Sequence, residues 1–293
     1  MTTRETLVVA GATGYLGGHV VRAAAEAGYR VRALVRDPAR LSAPVRSRCD
    51  EVFVGEATDP ASLRGLFEGA ALGFSSIGVR HFRRRPTIWE VDEAANLSLV
   101  DEAERAGARR FAFVSLLQGD ARRGALPVAE ARERVVDRLV ASRMSAAVVR
   151  PSGFFNDLEE IFRMAASGRV WLLGDGAARF NPIHGADLAA RVVEALAGSE
   201  DVAVSVGGPD ALTMREAGQL AFDALGAPAR FGHVPLWVVR SAASVAAPFN
   251  PNLSTFLRMF AMMADGDLVA PPYGRHHLAD EMQRLAAGPA RAP

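Results

Sequence analysis

Three observations predict an α/β fold: a Rossmann-type doubly wound parallel sheet with a smaller C-terminal substrate lobe. Short apolar, β-rich runs alternate with helical stretches through the first half of the chain, the pattern of successive βαβ units. The first run passes through Gly11-Ala12-Thr13-Gly14-Tyr15-Leu16-Gly17 straight into a helix. The chain has 293 residues, enough for one such sheet and an attached lobe.

Taken in order, the strands are expected at Thr6–Ala10, Arg30–Val35, Glu51–Val54, 71–75, Arg110–Val114, 146–149 and Val202–Val206, each short, apolar and rich in β-branched or aromatic residues. Helical periodicity is expected at 15–27, 92–106, 129–142 and 186–197, and right-handed crossovers would place these helices on both faces of the sheet. After Pro151 the alternation breaks up. The dinucleotide-binding core is therefore assigned to 1–153, with 183–207 returning to it. Residues 154–182 and 208–293, rich in Phe, Trp, Met, Gly and Pro, form the expected substrate lobe over the strand ends, where open α/β sheets bind ligands.

Composition narrows the function classes. Apolar residues make up 49%, charged residues 23%, and the net charge is +1, so no global field recruits nucleic acid or an anionic surface. The segment from Met1 to Glu5 leads directly into the first strand, which leaves no room for a secretory signal. The longest apolar run, 234–248, is interrupted by Arg240 and is too short to span a membrane. Cys49 is the only cysteine, which rules out an intrachain disulfide and fits a reducing cytoplasm. The chain has no lysine; abundant Ala, Gly, Arg and Pro beside that absence fit a GC-rich bacterial genome. The absence also excludes a Schiff base, a lysine general base and a P-loop lysine.

The glycine turn carries the chemistry. Glycine permits a tight turn and close approach of backbone to a pyrophosphate, and the helix that follows offers N–H groups and the positive end of its dipole. An NAD site usually has an acidic residue about 20 positions further on. Arg36 stands at that distance, and a guanidinium pairs bidentately with a 2′-phosphate that a carboxylate would repel. NADP(H) is the expected cofactor, with Asp37 left as the residue that could serve NAD instead.

With these residues in hand, the chain resembles the atypical short-chain dehydrogenase/reductases, in particular their NmrA-like, NAD(P)-binding branch. The matching landmarks are the glycine turn, Val35-Arg36-Asp37-Pro38, Gly55-Glu56-Ala57-Thr58-Asp59, Phe74-Ser75-Ser76-Ile77-Gly78 and Val91-Asp92-Glu93-Ala94-Ala95-Asn96. They continue with Phe113-Val114-Ser115, Val149-Arg150-Pro151-Ser152-Gly153-Phe154-Phe155, Asn181-Pro182-Ile183-His184-Gly185-Ala186-Asp187-Leu188-Ala189 and Val206-Gly207-Gly208-Pro209. Gly11, Thr13, Gly14, Tyr15, Leu16, Gly17 and Arg36 are the expected phosphate-side residues, and the resemblance implies that Glu56 and Ala57 flank the adenine. It places Ser75, Ser76, Ile77 and Gly78 on the ribose–nicotinamide side, and Pro151, Ser152, Gly153, Phe154 and Phe155 around the nicotinamide. Ser115 takes the position of the superfamily's active-site serine.

One departure limits the carry-over. The superfamily's proton-transfer pair is a tyrosine followed four residues later by a lysine. Here Val128 and Arg132 occupy those places, and the tyrosines stand elsewhere, at positions 15, 29 and 273. Arg132 can hold ribose hydroxyls, but a guanidinium is a poor proton donor. Ser115, His81 and Arg132 are the expected catalytic residues. His184 and Asp187 are read as structural. His276-His277 lacks accompanying ligands, so no metal site is expected. The basic run Arg80-His81-Phe82-Arg83-Arg84-Arg85 is read as a solvated loop, too short for DNA.

The expected substrate-binding residues are Phe82, Phe154, Phe155, Asn156 and Trp171, since ligand sites are concave and mostly apolar. Core packing is the expected role of 253–264, with a lid, a homodimer surface or a membrane-surface helix as alternatives. The functional expectation is a cytoplasmic NADPH-dependent reductase. Its substrate would be a hydrophobic small molecule such as a ketone, enone or quinone, of a kind met in secondary metabolism. The alternatives are a non-enzymatic NADP(H) redox sensor or assembly factor, and an isomerase or cyclase that retains its cofactor.

Overall fold

The computed structural model describes residues 4–288; Met1, Thr2 and Thr3, on which part of the signal-peptide expectation falls, lie outside the described residues. In chain order the first elements are β1 (Thr6–Ala10), α1 (Tyr15–Glu26), β2 (Arg30–Val35), α2 (Ala43–Arg46), β3 (Glu51–Val54), β4 (Leu72–Ser75), α3 (Asn96–Arg105), β5 (Arg110–Val114), α4 (Pro127–Val140) and β6 (Ser145–Pro151). Then follow α5 (Glu159–Ala166), β7 (Val170–Leu173), β8 (Arg179–Phe180), α6 (Gly185–Ala197), β9 (Val202–Val206), β10 (Leu212–Thr213), α7 (Met214–Leu225), β11 (Phe231–Val234), α8 (Leu236–Ala246), α9 (Pro251–Met263) and α10 (Leu278–Ala286). These divide into two compact units. The first holds residues up to His81, Arg85–Arg150 and Leu188–Val204, and the second holds Phe82–Arg84, Pro151–Asp187 and the chain from Ser205 onward.

The first unit is built on a seven-stranded sheet in the order β3-β2-β1-β4-β5-β6-β9, and every pairing from β3 through β6 is parallel. The order reverses between β1 and β4, the point at which open α/β sheets leave a crevice for a ligand. Leu7, Val8 and Val9 are all fully buried, as strands covered on both faces must be. Val8 and Ala10 join Leu34, Leu99, Phe111, Val135 and Val148 in one core cluster. Burying a large apolar side chain stabilises by roughly 1.5–3 kcal/mol, so this cluster fixes the strand ends that carry the polar residues described below.

The helix expected over 92–106 begins earlier and in another form: a π-helical stretch, Trp89–Ala95, runs into α3. Its cause is Asn96, whose side-chain amide donates to Val91 O at 3.0 Å and Asp92 O at 3.1 Å. An amide inserted into the carbonyl ladder widens the turn.

The second unit contains two short ribbons, β8 paired antiparallel with β10 and β7 paired parallel with β11. These strands were not legible in the sequence, being two or four residues long. Helix α7 opens on a capping box in which Thr213 and Glu216 each bond the other's backbone N–H. Helices α8 and α9 pack along each other. The core role expected of 253–264 is corrected here: Ala261 is buried, but Leu253, Phe256, Leu257, Met259 and Met263 are only half-buried and Phe260 is exposed.

Candidate functional site

The glycine turn between β1 and α1 is shaped by backbone alone. Gly11 has φ +95°, a conformation that costs an L side chain strain, and its carbonyl accepts the Gly14 N–H at 2.8 Å. A Cβ at Gly17 would stand 2.0 Å from Gly11 O, so the first turn of α1 can lie against the strand end only without a side chain there. No side chain caps α1 and its first turn holds no acid. The positive helix end and its N–H groups are thus left to an anion. Leu16 is buried, while Thr13 is exposed.

At the end of β2, the Arg36 guanidinium is 61% exposed and lies 3.5 Å from Glu56, itself 40% exposed. Asp37 caps the 3-10 turn Pro38–Arg40, accepting the Ala39 N–H at 2.9 Å. The two residues that sequence left in competition are therefore differently placed: the carboxylate is used locally and the guanidinium points into solvent. Ala57 is buried beside them in sequence.

The loop after β4 is held by a buried polar network. Ser75 is fully buried and donates to Asn96 Oδ1 at 2.5 Å, and it accepts the Ile77 N–H at 3.3 Å. Ser76 N–H donates to Ala10 O at 3.3 Å, which fixes the loop to the glycine turn's strand. Arg132, on α4, ties this loop down. Its guanidinium pairs with Asp92 at 2.7 Å and donates to Val114 O at 2.5 Å and Ile77 O at 3.3 Å. Asp92 in turn accepts the Val79 N–H at 2.9 Å. Burial pushes the Asp92 carboxyl up, and the guanidinium and the Val79 N–H pull against it.

Ser115 follows β5 and is buried, with its hydroxyl donating to Glu133 at 2.6 Å. Glu133 is itself buried and forms a two-pronged ion pair with Arg150, one prong at 2.7 Å. The Ser115 proton is thus directed into an internal ion pair. His81 differs from both: its Nδ1 is buried and has no hydrogen-bond partner among the described residues.

The remaining expected residues belong to the second unit. Pro151 and Ser152 are buried, and Ser152 Oγ donates to Asn181 O. Phe154 is half-buried and bridges to Ile183. Phe155 is buried against His184, ring centroids 5.5 Å apart. Asn156 carries a buried Oδ1 without a hydrogen-bond partner among the described residues. Phe82 is exposed and meets the Phe256 ring edge-on at 5.3 Å. Trp171 is exposed on β7, where a Cβ at Gly232 would come within 2.5 Å of its ring.

His184 stacks on His276 at 4.1 Å and accepts the Ala186 N–H at 3.2 Å, while His276 bonds Asp187 at 2.8 Å. Burial and the neighbouring His276 push the His184 imidazole below the ordinary range. A site-resolved NMR titration should give it a midpoint below about 6.5; a midpoint at or above that value would contradict the packing. The sign for stability follows. The unfolded chain takes up this proton first, so His184 costs stability as pH falls below about 6.5. His277, held up by its bond to Asp210, works the other way, favouring the fold at low pH and fading as pH rises.

Sequence reasoning missed Asp92, Asn96, Glu133 and Arg150. A signal was present for one of them: Glu133 falls on the stripe of α4 that buries Ala129 and Val136, and an acid on such a stripe calls for a partner. Among the described residues no cluster of His, Cys, Asp and Glu could hold a metal ion, and no helix is long and apolar enough to cross a membrane.

Comparison with known proteins agrees with this architecture. A family model described as the NmrA-like family matches residues 3–271. The chloroplastic divinyl chlorophyllide a 8-vinyl-reductase of Oryza sativa subsp. indica is 30% identical over 267 residues, covering 82% of this chain and 64% of that protein. The ceramide reductase of Caulobacter vibrioides is 34% identical over 197 residues, 65% of this chain and 60% of that one. The chain thus spans less than two thirds of the length of either relative. Among solved structures, the NADPH-dependent quinone oxidoreductase QOR2 of Escherichia coli matches with a TM-score of 0.75 at 19% identity, over 95% of this chain and 99% of that one, a likeness of fold.

Proposed function

This chain belongs to the NmrA-like family, and from that premise we propose that it binds NADP(H) and reduces a hydrophobic small molecule, a ketone, enone or quinone, without a Tyr-x-x-x-Lys pair. The observation that carries the reading is the side-chain-free turn at Gly11 and Gly17, followed by the uncapped start of α1. Two relatives are named reductases and the similar E. coli structure is named as an NADPH complex, which supports the same chemistry here.

The turn would hold the pyrophosphate and Arg36 the 2′-phosphate. The exposed Arg36–Glu56 pair is worth about 0–1 kcal/mol, whereas charge-assisted hydrogen bonds contribute about 1.5–3 kcal/mol each, so a phosphate displaces Glu56. When bound, the cofactor supplies a hydride. This chain's residues would position and protonate. Ser115 and Arg132, directed into Glu133 and Asp92, hold the loops. His81, with its unpartnered Nδ1, is the proposed proton donor.

Titration of NADPH and NADH against the purified chain tests the assignment. NADPH should bind more tightly, and Arg36→Glu should weaken it by roughly 10–100-fold while sparing NADH. Equal or tighter NADH binding in the unmodified chain would overturn the NADP(H) reading. A panel of ketones, enones and quinones should include one that oxidises NADPH, with turnover lowered in His81→Gln at unchanged nucleotide affinity. Nucleotide uptake with no oxidation across the panel would leave a binding protein and sink the reductase.

A further inference from the structure

Helix α9 buries polar residues where an amphipathic helix would bury apolar ones: beside Ala261, its buried positions are Asn252, Ser254 and Thr255, 1%, 4% and 3% exposed. Each is satisfied internally, Asn252 by Arg83 O at 2.9 Å, Ser254 by Ala243 O at 2.8 Å and Thr255 by Pro251 O at 2.9 Å. Phe260 is exposed, and Phe256, Leu257 and Met259 are only half-buried. Its partner α8 continues the pattern. Val238, Ala242 and Val245 recur at helical spacing, so they share one face, and the turn beyond carries Phe249. Trp237, Val245 and Phe249 are 70%, 69% and 73% exposed. A water-facing helix would place its polar residues outward, and large apolar side chains exposed together on one hairpin mark an interaction site.

Charge decides the occupant. From Pro235 to Ala264 the chain contains no Asp or Glu, and Asp265, which follows, is taken up by Arg240 of α8 at 2.7 Å. The 82–84 loop is pinned beside this hairpin by Asn250, which donates to Phe82 O at 2.6 Å, and by Asn252. It adds Arg83 and Arg84, both exposed. With Arg258, also exposed on α9, they form a set of cations for which no carboxylate partner is found among the described residues. A second copy docked by two-fold symmetry would set Arg83, Arg84 and Arg258 against the same cations of its mate. Anionic headgroups offer the complementary charge and the acyl boundary the apolar phase. The helices are far too short to span, so they lie in the interface.

We infer that the outer face of the α8–α9 hairpin, with Arg83 and Arg84, docks this chain on the surface of an anionic phospholipid bilayer. Flotation of the full chain with vesicles tests it. The chain should float with equimolar phosphatidylglycerol and phosphatidylcholine, release as salt is raised, and stay behind with phosphatidylcholine alone. The double variant Arg83→Glu/Arg84→Glu and the single variant Phe249→Asp should each reduce binding about tenfold or more. Circular dichroism, melting temperature and nucleotide titration should be unchanged in both, since these side chains are exposed. Failure to float with anionic vesicles, or flotation indifferent to both variants, overturns the proposal. So does a concentration-dependent dimer in sedimentation equilibrium that Phe249→Asp dissolves, which would assign the face to a second copy. Because the readout is lipid binding, a negative result here leaves the cofactor reading untouched.

Discussion

Glu133→Ala should lower the stability of the chain by about 3–5 kcal/mol, the cost of removing one partner from a buried ion pair. The carboxylate is 1% exposed and serves the Arg150 guanidinium with both oxygens and the Ser115 hydroxyl with one of them. Its loss strands a largely buried cation, 13% exposed, which costs more than the pair itself stabilises. Glu133→Gln should cost less, because an amide oxygen can still accept one bond while its NH2 faces a guanidinium. Urea unfolding of the three proteins is the measurement. An alanine variant within about 1 kcal/mol of the parent would show that water reaches this pair and that Ser115 is freer than its geometry indicates.

Gly17→Val should abolish nucleotide uptake. The added Cβ falls 2.0 Å from Gly11 O, 2.5 Å from Gly11 C and 2.9 Å from Ala12 N, all backbone atoms that cannot swing aside. Either α1 withdraws from the strand end or the turn opens, and in both cases the N–H groups lose their common focus. A loss of at least about 100-fold in NADPH affinity, ~2.7 kcal/mol, is expected by calorimetry. Gly28→Ala is the control. Gly28 also has positive φ, +91°, but nothing lies within 4 Å of its would-be Cβ. It should cost about 1–2 kcal/mol of stability through strain with nucleotide affinity intact. If both variants bind NADPH like the parent, the turn is not a phosphate cradle.

The sheet was legible because burial on both faces writes a plain signal. Thr6–Ala10 and Arg110–Val114 are nearly continuous apolar runs, and no helical period competes with them. The glycine turn was legible for a related reason: its requirement is the absence of a side chain, which sequence shows directly. The polar network was not. Nothing local distinguishes Asp92 from Glu93 in Val91-Asp92-Glu93, yet one is buried beside Arg132 and the other is half-buried and pairs with the exposed Arg134. That difference is set by α4, far along the chain. The second unit was the least legible part, since ribbons such as Val170–Leu173 with Phe231–Val234 are too short for periodicity to separate from loop. Helix α9 misled for the opposite reason, its strong apolar stripe being indistinguishable, on paper, from one that faces a core.

Arg132 has one last implication. The guanidinium serves a carboxylate and two carbonyls on separate segments at once, a fan of acceptors that a single ammonium on a flexible stem cannot reproduce. Installing a Tyr–Lys pair by substitution at 128 and 132 would therefore loosen the very loop the new acid must address. Engineering a phenol-driven variant of this scaffold has to begin by re-anchoring residues 77–79, and only then by changing the proton donor.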